Sequence, residues 1–192
     1  MKNSRRFFSV AALVATTVMV GMAWGDSPSG EQQGAPSLVT PEHKLLEKYA
    51  GTWDAEVTMA GPPGQPAVTT PGKSTSKLGC GGLWLVTDFE SSIMGMPFSG
   101  HEIFGYDAHD KKYVIHWVDS MSSSFSTGDF TFDAKSRTLD GNVHGRDEKG
   151  EEMTWRQSDV WKDDDNREWS MYRKGVDGKE TAELTIHYKR HK

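Results

Sequence analysis

Two carboxylates in the middle of the chain, Glu102 and Asp119, are the residues best suited to chemistry. Both occur where apolar and polar residues alternate, and both fall on the same face as the aromatic residues Phe104 and Trp117. Burying a carboxylate without a partner costs on the order of several kcal/mol or leaves it protonated. Each therefore needs an arginine, a hydroxyl donor or a ligand, and a carboxylate in such a place could also act as a general acid or base.

The sequence offers these carboxylates few partners. Arg156 and Arg173 are the candidate arginines, and no nucleophile or orienting residue accompanies the carboxylates as an enzyme would require. For Asp119 we expect a structural hydrogen bond to the loop that follows it, residues 120–124. An enzyme acting through Asp119 or Glu102 stays an alternative.

The histidines, the single cysteine and the acidic run are not spaced as a metal or cofactor site. Cys80 lies between glycines with no neighbour that would activate the thiol. The acidic run 163–165 lacks the loop glycine and the distal glutamate of a calcium-binding loop. The strand histidines lie far apart in sequence, and those that can be assigned to a face point outward, so no axial haem ligand is expected: His101, His116, His144 and His187. We expect no cofactor and no metal.

Alternation of period two runs through most of the chain and predicts an all-β fold. It begins near Trp53 and Ala55 and recurs in nine further segments: 73–79, 83–91, 97–106, 112–119, 124–132, 137–144, 151–161, 167–173 and 180–190. The polar turns between them are too short for crossover helices, so neighbours must be antiparallel. About ten such strands form an up-and-down meander, which we expect to close into a small barrel because closure removes exposed edges. An open sandwich is the alternative.

One short helix is predicted before the first strand. Thr40 is a good N-cap, Pro41 suits the first helical position, and Gly51 suits the stop. His43 stands where a capping glutamate would, so we expect no complete capping box and a surface or cap position for His43. The apolar residues fall on one side at helical spacing: Leu45, Leu46 and Tyr49.

An alternating meander places all odd-to-even connections at the end opposite the helix. The first, 61–72, is long and rich in proline and resembles a lid. The second carries Met94 and Met96, and Met121 follows the fifth strand; methionine adapts to irregular apolar shapes. We expect residues 61–72, 91–97 and 119–121 to rim the mouth of an apolar cavity. The alternative is that the methionines plug a filled barrel.

A turn that pairs Ala108 with Lys111 fixes the register of the fourth and fifth strands. It places Asp119 near the mouth and Glu102 one layer deeper, through these pairs: Gly100 with Asp119, Glu102 with Trp117, and Phe104 with Ile115. The predicted ligand-binding set of pocket and mouth is Met94, Met96, Phe98, Glu102, Phe104, Trp117, Asp119 and Met121.

The N-terminus predicts export. Residues 1–23 resemble a signal peptide, with basic residues, an apolar run over 7–20 and small residues before the cleavage site. The paired arginines Arg5 and Arg6 resemble a twin-arginine signal, although an ordinary signal peptide is equally compatible. Residues 24–40 predict a disordered linker, and 41–192 the barrel domain. We expect a periplasmic or secreted protein.

Charge and cysteine content restrict the partners. The formal net charge is −5, and removing residues 1–23 takes away three positive charges and no negative ones, which leaves −8. Such an acidic chain is unsuited to nucleic acid, and we expect no stable membrane association after cleavage. One cysteine allows no intramolecular disulfide, so the core must supply the stability.

Several segments together resemble a known family over nearly all of residues 41–192. They are Pro41–Leu46 with Gly51–Trp53, Gly81–Trp84, Phe98–Gly100, Gly105–Asp107 with Lys112–Val114, Trp117–Met121 and Asp177–Glu180. In this order they resemble domain of unknown function 1579, a bacterial family of calycin-like barrels. The resemblance implies a barrel like those of lipocalins and fatty-acid-binding proteins, and it carries no established activity.

The sequence therefore predicts an exported barrel that binds a small apolar or amphipathic molecule. The alternatives are an enzyme acting through Asp119 or Glu102, and a structural or assembly protein with a filled core.

Overall fold

The computed structural model describes residues 38–62, 64–147, 149–175 and 178–192. The predicted signal peptide and residues 24–37 of the predicted linker lie outside these ranges. No helix within them is both long and apolar enough to cross a membrane.

A short helical segment precedes the first strand, as predicted. A 3-10 turn (Pro41–His43) leads into helix α1 (Lys44–Tyr49), and Gly51 ends it with φ +117°, a conformation that favours glycine. The expected absence of a capping box is wrong, because the backbone N–H of Thr40 donates to Nδ1 of His43 at 3.0 Å. His43 is also buried, edge-on to the ring of Tyr106, so it caps the helix from inside.

The described residues form ten antiparallel strands that close into a barrel, in the order β1-β10-β9-β8-β7-β6-β5-β4-β3-β2. A 3-10 turn (Cys80–Gly82) joins β2 to β3. The strands are β1 (Gly51–Met59), β2 (Val68–Gly79), β3 (Trp84–Ile93), β4 (Met96–Asp107), β5 (Lys112–Asp119), β6 (Ser126–Asp133), β7 (Thr138–Arg146), β8 (Glu152–Trp161), β9 (Asn166–Lys174) and β10 (Glu180–Arg190).

The register of β4 and β5 is as predicted: Glu102 pairs with Trp117 and Phe104 with Ile115. Strand β10 departs from strict alternation, because its register with β9 shifts between Ala182 and Leu184. Ala182, which alternation places inside, is consequently exposed.

The predicted lid between β1 and β2 is shorter than expected, because β2 begins at Val68. Residues 68–72 pair with β1 alone, and pairing with β3 starts at Lys73. Pro71 is tolerated in this stretch because it lies on a one-sided edge, where a missing N–H breaks no second ladder.

The helix closes one end of the barrel, which we call the helix end; the opposite end is the mouth. Trp53 is fully buried and donates its indole N–H to the carbonyl oxygen of Tyr49 at 2.9 Å. Trp161 donates to the Tyr49 hydroxyl at 3.2 Å. From the end of β10, Arg190 donates to the carbonyl oxygens of Ala50 and Lys48, both at 2.9 Å, which caps the C-terminus of α1.

Candidate ligand-binding cavity

The interior of the barrel contains a cavity of about 340 Å³. It extends from Tyr49 on the helix to Ser91, Ile93, Ser122 and Arg146, which lie on the last residues of strands or in loops at the mouth. A volume of this size lies in the lower part of the range for small-molecule sites. The interior of the described barrel is therefore not filled by side chains.

Five of the eight predicted site residues line this cavity: Phe98, Glu102, Phe104, Trp117 and Asp119. The three methionines do not, and their side chains are largely exposed at Met94 (84%), Met96 (54%) and Met121 (46%). The shape of the β3–β4 hairpin explains why Met94 and Met96 lie outside the cavity. The hairpin continues to the pair Ile93–Met96, whereas β5 pairs with β4 only from Gly100, so the hairpin tip projects beyond the neighbouring strand.

An aromatic wall lies on the β4–β5 side of the cavity. The rings of Phe98 and Trp117 stack with centroids 6.4 Å apart. The Trp117 indole N–H donates to Oδ2 of Asp119 at 2.9 Å, and Oδ1 of Asp119 accepts from the backbone N–H of Met121 at 2.8 Å. Asp119 therefore has the structural role that we favoured, with both carboxylate oxygens engaged.

Gly100 provides the space that Trp117 occupies, because a Cβ atom there would lie 2.2 Å from Cζ2 of the indole. Gly100→Ala should displace the ring and lower the free energy of unfolding by about 1–3 kcal/mol, measured by urea denaturation. Gly79→Ala is the control, since its Cβ atom would meet nothing nearer than 4.0 Å, and we expect a change below about 1 kcal/mol. Equal stability of the two variants would contradict this account of Gly100.

A buried ion pair near the helix end was not predicted. Arg167 on β9 donates to Oδ2 of Asp159 on β8, with both side chains more than nine-tenths buried. The guanidinium carbon lies 3.7 Å from the ring centroid of Tyr188 and 4.9 Å from that of Tyr49, positions suited to cation–π attraction.

The prediction that Arg156 or Arg173 partners the inner carboxylates is wrong. Arg156 pairs with Asp140, and Arg173 pairs with Glu183. The side chain of Arg156 lies on the outer face, because alternation along β8 places the cavity-lining residues Trp155 and Gln157 one position away. Arg173 shares the parity of Met171 but does not line the cavity, and more than half of its side chain is exposed.

Three side-chain atoms of residues that line the cavity lack a hydrogen-bond partner. Among the described residues, Oδ1 of Asp159 and Nε of Arg167 are buried without a hydrogen bond, and so is the indole N–H of Trp155. Such orphaned atoms are uncommon in folded proteins, and these three have almost no accessible surface, so they are buried from the cavity as well as from solvent.

Glu102 also has neither a hydrogen bond nor an ion pair with any described residue. It lines the cavity, so the surface that it keeps accessible lies inside the barrel. Burial raises the pKa of Glu102 to about 7, against the opposing effect of the Arg167 charge. Burial also raises the pKa of Asp159, again opposed by Arg167.

The histidines and the cysteine lie away from the cavity. His101, His116, His144 and His187 are exposed, and three of them pair on the outer face, with Asp88, Thr154 and Glu168. Cys80 is exposed in the turn after β2. Within the described ranges, no group of three or more histidine, cysteine or acidic residues could hold a metal ion.

Signals for the missed residues were present in the sequence. Asp159 is an even number of residues from Trp155, Gln157 and Trp161 and therefore shares their face of the strand. Arg167 shares the face of Trp169 in the same way. The same parity that identified Glu102 would have placed these two charges inside the barrel.

Together, the fold and the cavity define a class of protein: a closed antiparallel β-barrel, sealed at one end by a short helix, with an internal chamber. The chain belongs to the family described as protein of unknown function DUF1579, whose model matches residues 39–190.

Solved structures agree with this fold. Rv2717c from M. tuberculosis is similar with a TM-score of 0.57 and 12% sequence identity, over 80% of this chain and 99% of that one. At this identity the similarity shows the fold alone. A redesigned β-barrel matches with 16% identity over 77% of this chain and 95% of that one, but its TM-score of 0.39 is too low to support the assignment of the fold. Comparison with curated proteins gave no significant match.

Proposed function

We propose that this protein binds one small amphipathic molecule inside its barrel. The observation that carries the proposal is the cavity of about 340 Å³, closed by the helix at one end. In α/β and all-β proteins alike, a concave apolar chamber with a few convergent polar groups is the usual form of a small-molecule site. Barrels of this size hold one such ligand.

The distribution of polarity supports an amphipathic ligand. Phe98, Trp117 and Leu184 line the wall with apolar surface. The charged residues Asp159 and Arg167 lie on the halves of β8 and β9 nearest the helix end. A ligand with an apolar body and a polar end would satisfy both regions.

The enzymatic alternative has weaker support. Asp119 accepts structural hydrogen bonds on both carboxylate oxygens. Glu102, whose pKa burial raises to about 7, has no hydrogen bond to a described residue that would orient it as a general acid or base. The alternative of a filled structural barrel does not account for the cavity. Residues 1–23 support a further proposal, that the protein acts in the periplasm or outside the cell.

A neutral fluorescent probe tests the binding proposal. N-phenyl-1-naphthylamine should gain fluorescence with the barrel domain and saturate at one site per chain. Leu184→Trp, which adds bulk to the cavity wall, should weaken that binding at least about tenfold through overpacking. His187→Trp adds the same bulk to the outer face of the same strand and should leave binding unchanged.

The binding proposal fails if the probe does not bind, or if the two tryptophan variants weaken its binding equally. Circular dichroism of both variants verifies that the barrel is intact.

A further inference from the structure

We infer that the cavity selects a ligand whose polar end is a cation, an alkylamine or a related amine, and discriminates against carboxylates. This inference rests on the proposed function. It concerns the chemistry of the ligand head group. Its basis is the set of hydrogen-bond and ion-pair partners that the charged residues inside the barrel have, and those that they lack.

The charges deep in the cavity do not balance. Asp159 and Arg167 neutralise each other as an ion pair. Burial keeps the phenols of Tyr49 and Tyr188 neutral by raising the pKa of each. Ionised Glu102 therefore leaves one net negative charge among these five residues.

Neighbouring side chains do not satisfy Glu102. Its partner residues across the sheet are Thr87 on β3 and Trp117 on β5. The Thr87 hydroxyl is hydrogen-bonded to Ser76 at 2.8 Å, and the Trp117 indole N–H donates to Asp119. Glu102 consequently faces the cavity with acceptor oxygens that a ligand can use.

A carboxylate without a partner suits an ammonium ligand. Glu102 presents two acceptor oxygens to the cavity, and a primary ammonium group has three donors and no acceptor. Its charge also compensates Glu102.

A carboxylate ligand meets the opposite conditions. The positive charge of Arg167 would attract it, but that guanidinium is already paired with Asp159. A ligand carboxylate at Arg167 would therefore lie among two further carboxylates, those of Asp159 and Glu102. Like charges at such short range in a desolvated site are mutually destabilising.

The groups that face Glu102 set the pH dependence. They are Arg167 from β9, Asp159 from β8, and the neutral phenols of Tyr188 on β10 and Tyr49 on α1. Burial raises the pKa of Glu102 to about 7, whereas an alkylammonium stays charged well above that pH. Amine binding should therefore strengthen as the pH rises from 5.5 to 8.5, because the carboxylate gains its charge in this window.

Decylamine, decanol and decanoate provide a matched test, since they share one chain length and differ in the head group. Each competes with N-phenyl-1-naphthylamine. At pH 8 we expect decylamine to bind about tenfold more tightly than decanol, the effect of a single charge-assisted contact, and decanoate to bind more weakly than decanol. At pH 5.5 the advantage of the amine should shrink.

Glu102→Gln should abolish the preference for the amine over decanol and the pH dependence of that preference, because glutamine keeps the shape of glutamate but carries no charge. Glu90→Gln is the matched control, as Glu90 is exposed on the outer face of β3. It should retain the wild-type preference.

The outcomes separate this inference from the proposed function. If neither the probe nor decanol binds, the proposed function fails, and the inference fails with it. If decanol binds but decylamine binds no more tightly, or decanoate binds best, the inference alone is overturned. An amine preference that persists in Glu102→Gln would also overturn it.

Discussion

Arg167→Met should destabilise the protein by about 3–5 kcal/mol, the cost of leaving a buried charge without its partner. Asp159 would keep its carboxylate in the barrel without a cation, and Tyr188 and Tyr49 would lose the guanidinium that packs on their rings. Urea denaturation followed by tryptophan fluorescence measures the change.

Two controls accompany this prediction. Arg156→Met removes a partly exposed pair with Asp140 and should cost no more than about 1 kcal/mol. The double variant Asp159→Leu with Arg167→Met removes both charges and should be more stable than Arg167→Met alone. Equal losses for Arg167→Met and Arg156→Met would contradict the role of the buried pair.

Trp53→Ala should lower the free energy of unfolding by about 3–5 kcal/mol, because the Trp53 side chain is completely buried. The indole holds the helix against the barrel through the carbonyl oxygen of Tyr49, packs edge-on against Trp161 and stacks under Arg190. Losing it removes the support of the cavity floor, so probe binding should weaken with stability.

Trp53→Phe separates the two contributions of this residue. Phenylalanine keeps most of the ring volume but cannot donate to Tyr49, and we expect a loss of about 1–2 kcal/mol. Thermal unfolding of the three proteins ranks them. A Trp53→Phe variant as unstable as Trp53→Ala would mean that the hydrogen bond, and not the packing, anchors the helix.

The fold could be predicted because its signals are local. Alternation identifies each strand, and the turn at Ala108 determines how β4 lies against β5, which is why Glu102 and Trp117 were paired correctly. The start of β2 was missed because the prolines and glycines of residues 61–72 resemble a loop. One-sided pairing with β1 is compatible with Pro71, and composition does not reveal it.

The candidate site could be predicted only in part, for a related reason. Parity identifies the face of a side chain, which is enough for Phe98, Glu102 and Asp119. It does not identify the depth, so Met94 and Met96 were expected at the cavity although their hairpin projects beyond it. Asp159 and Arg167 lie on consecutive strands only eight residues apart. Parity places both inside the barrel, but their pairing depends on the register of β8 and β9, in which Asp159 lies opposite Trp169.

Arg190 links the last strand to the first elements of the fold. Arg190 caps α1. Its strand, β10, pairs with β1 and so closes the barrel, from the pair Trp53–Arg190 to the pair Met59–Leu184. Contacts that join residues so far apart in the chain form late, because loop closure must precede them. Until the C-terminal segment has emerged during synthesis, the ring stays open, with two unpaired strand edges that can associate with other chains.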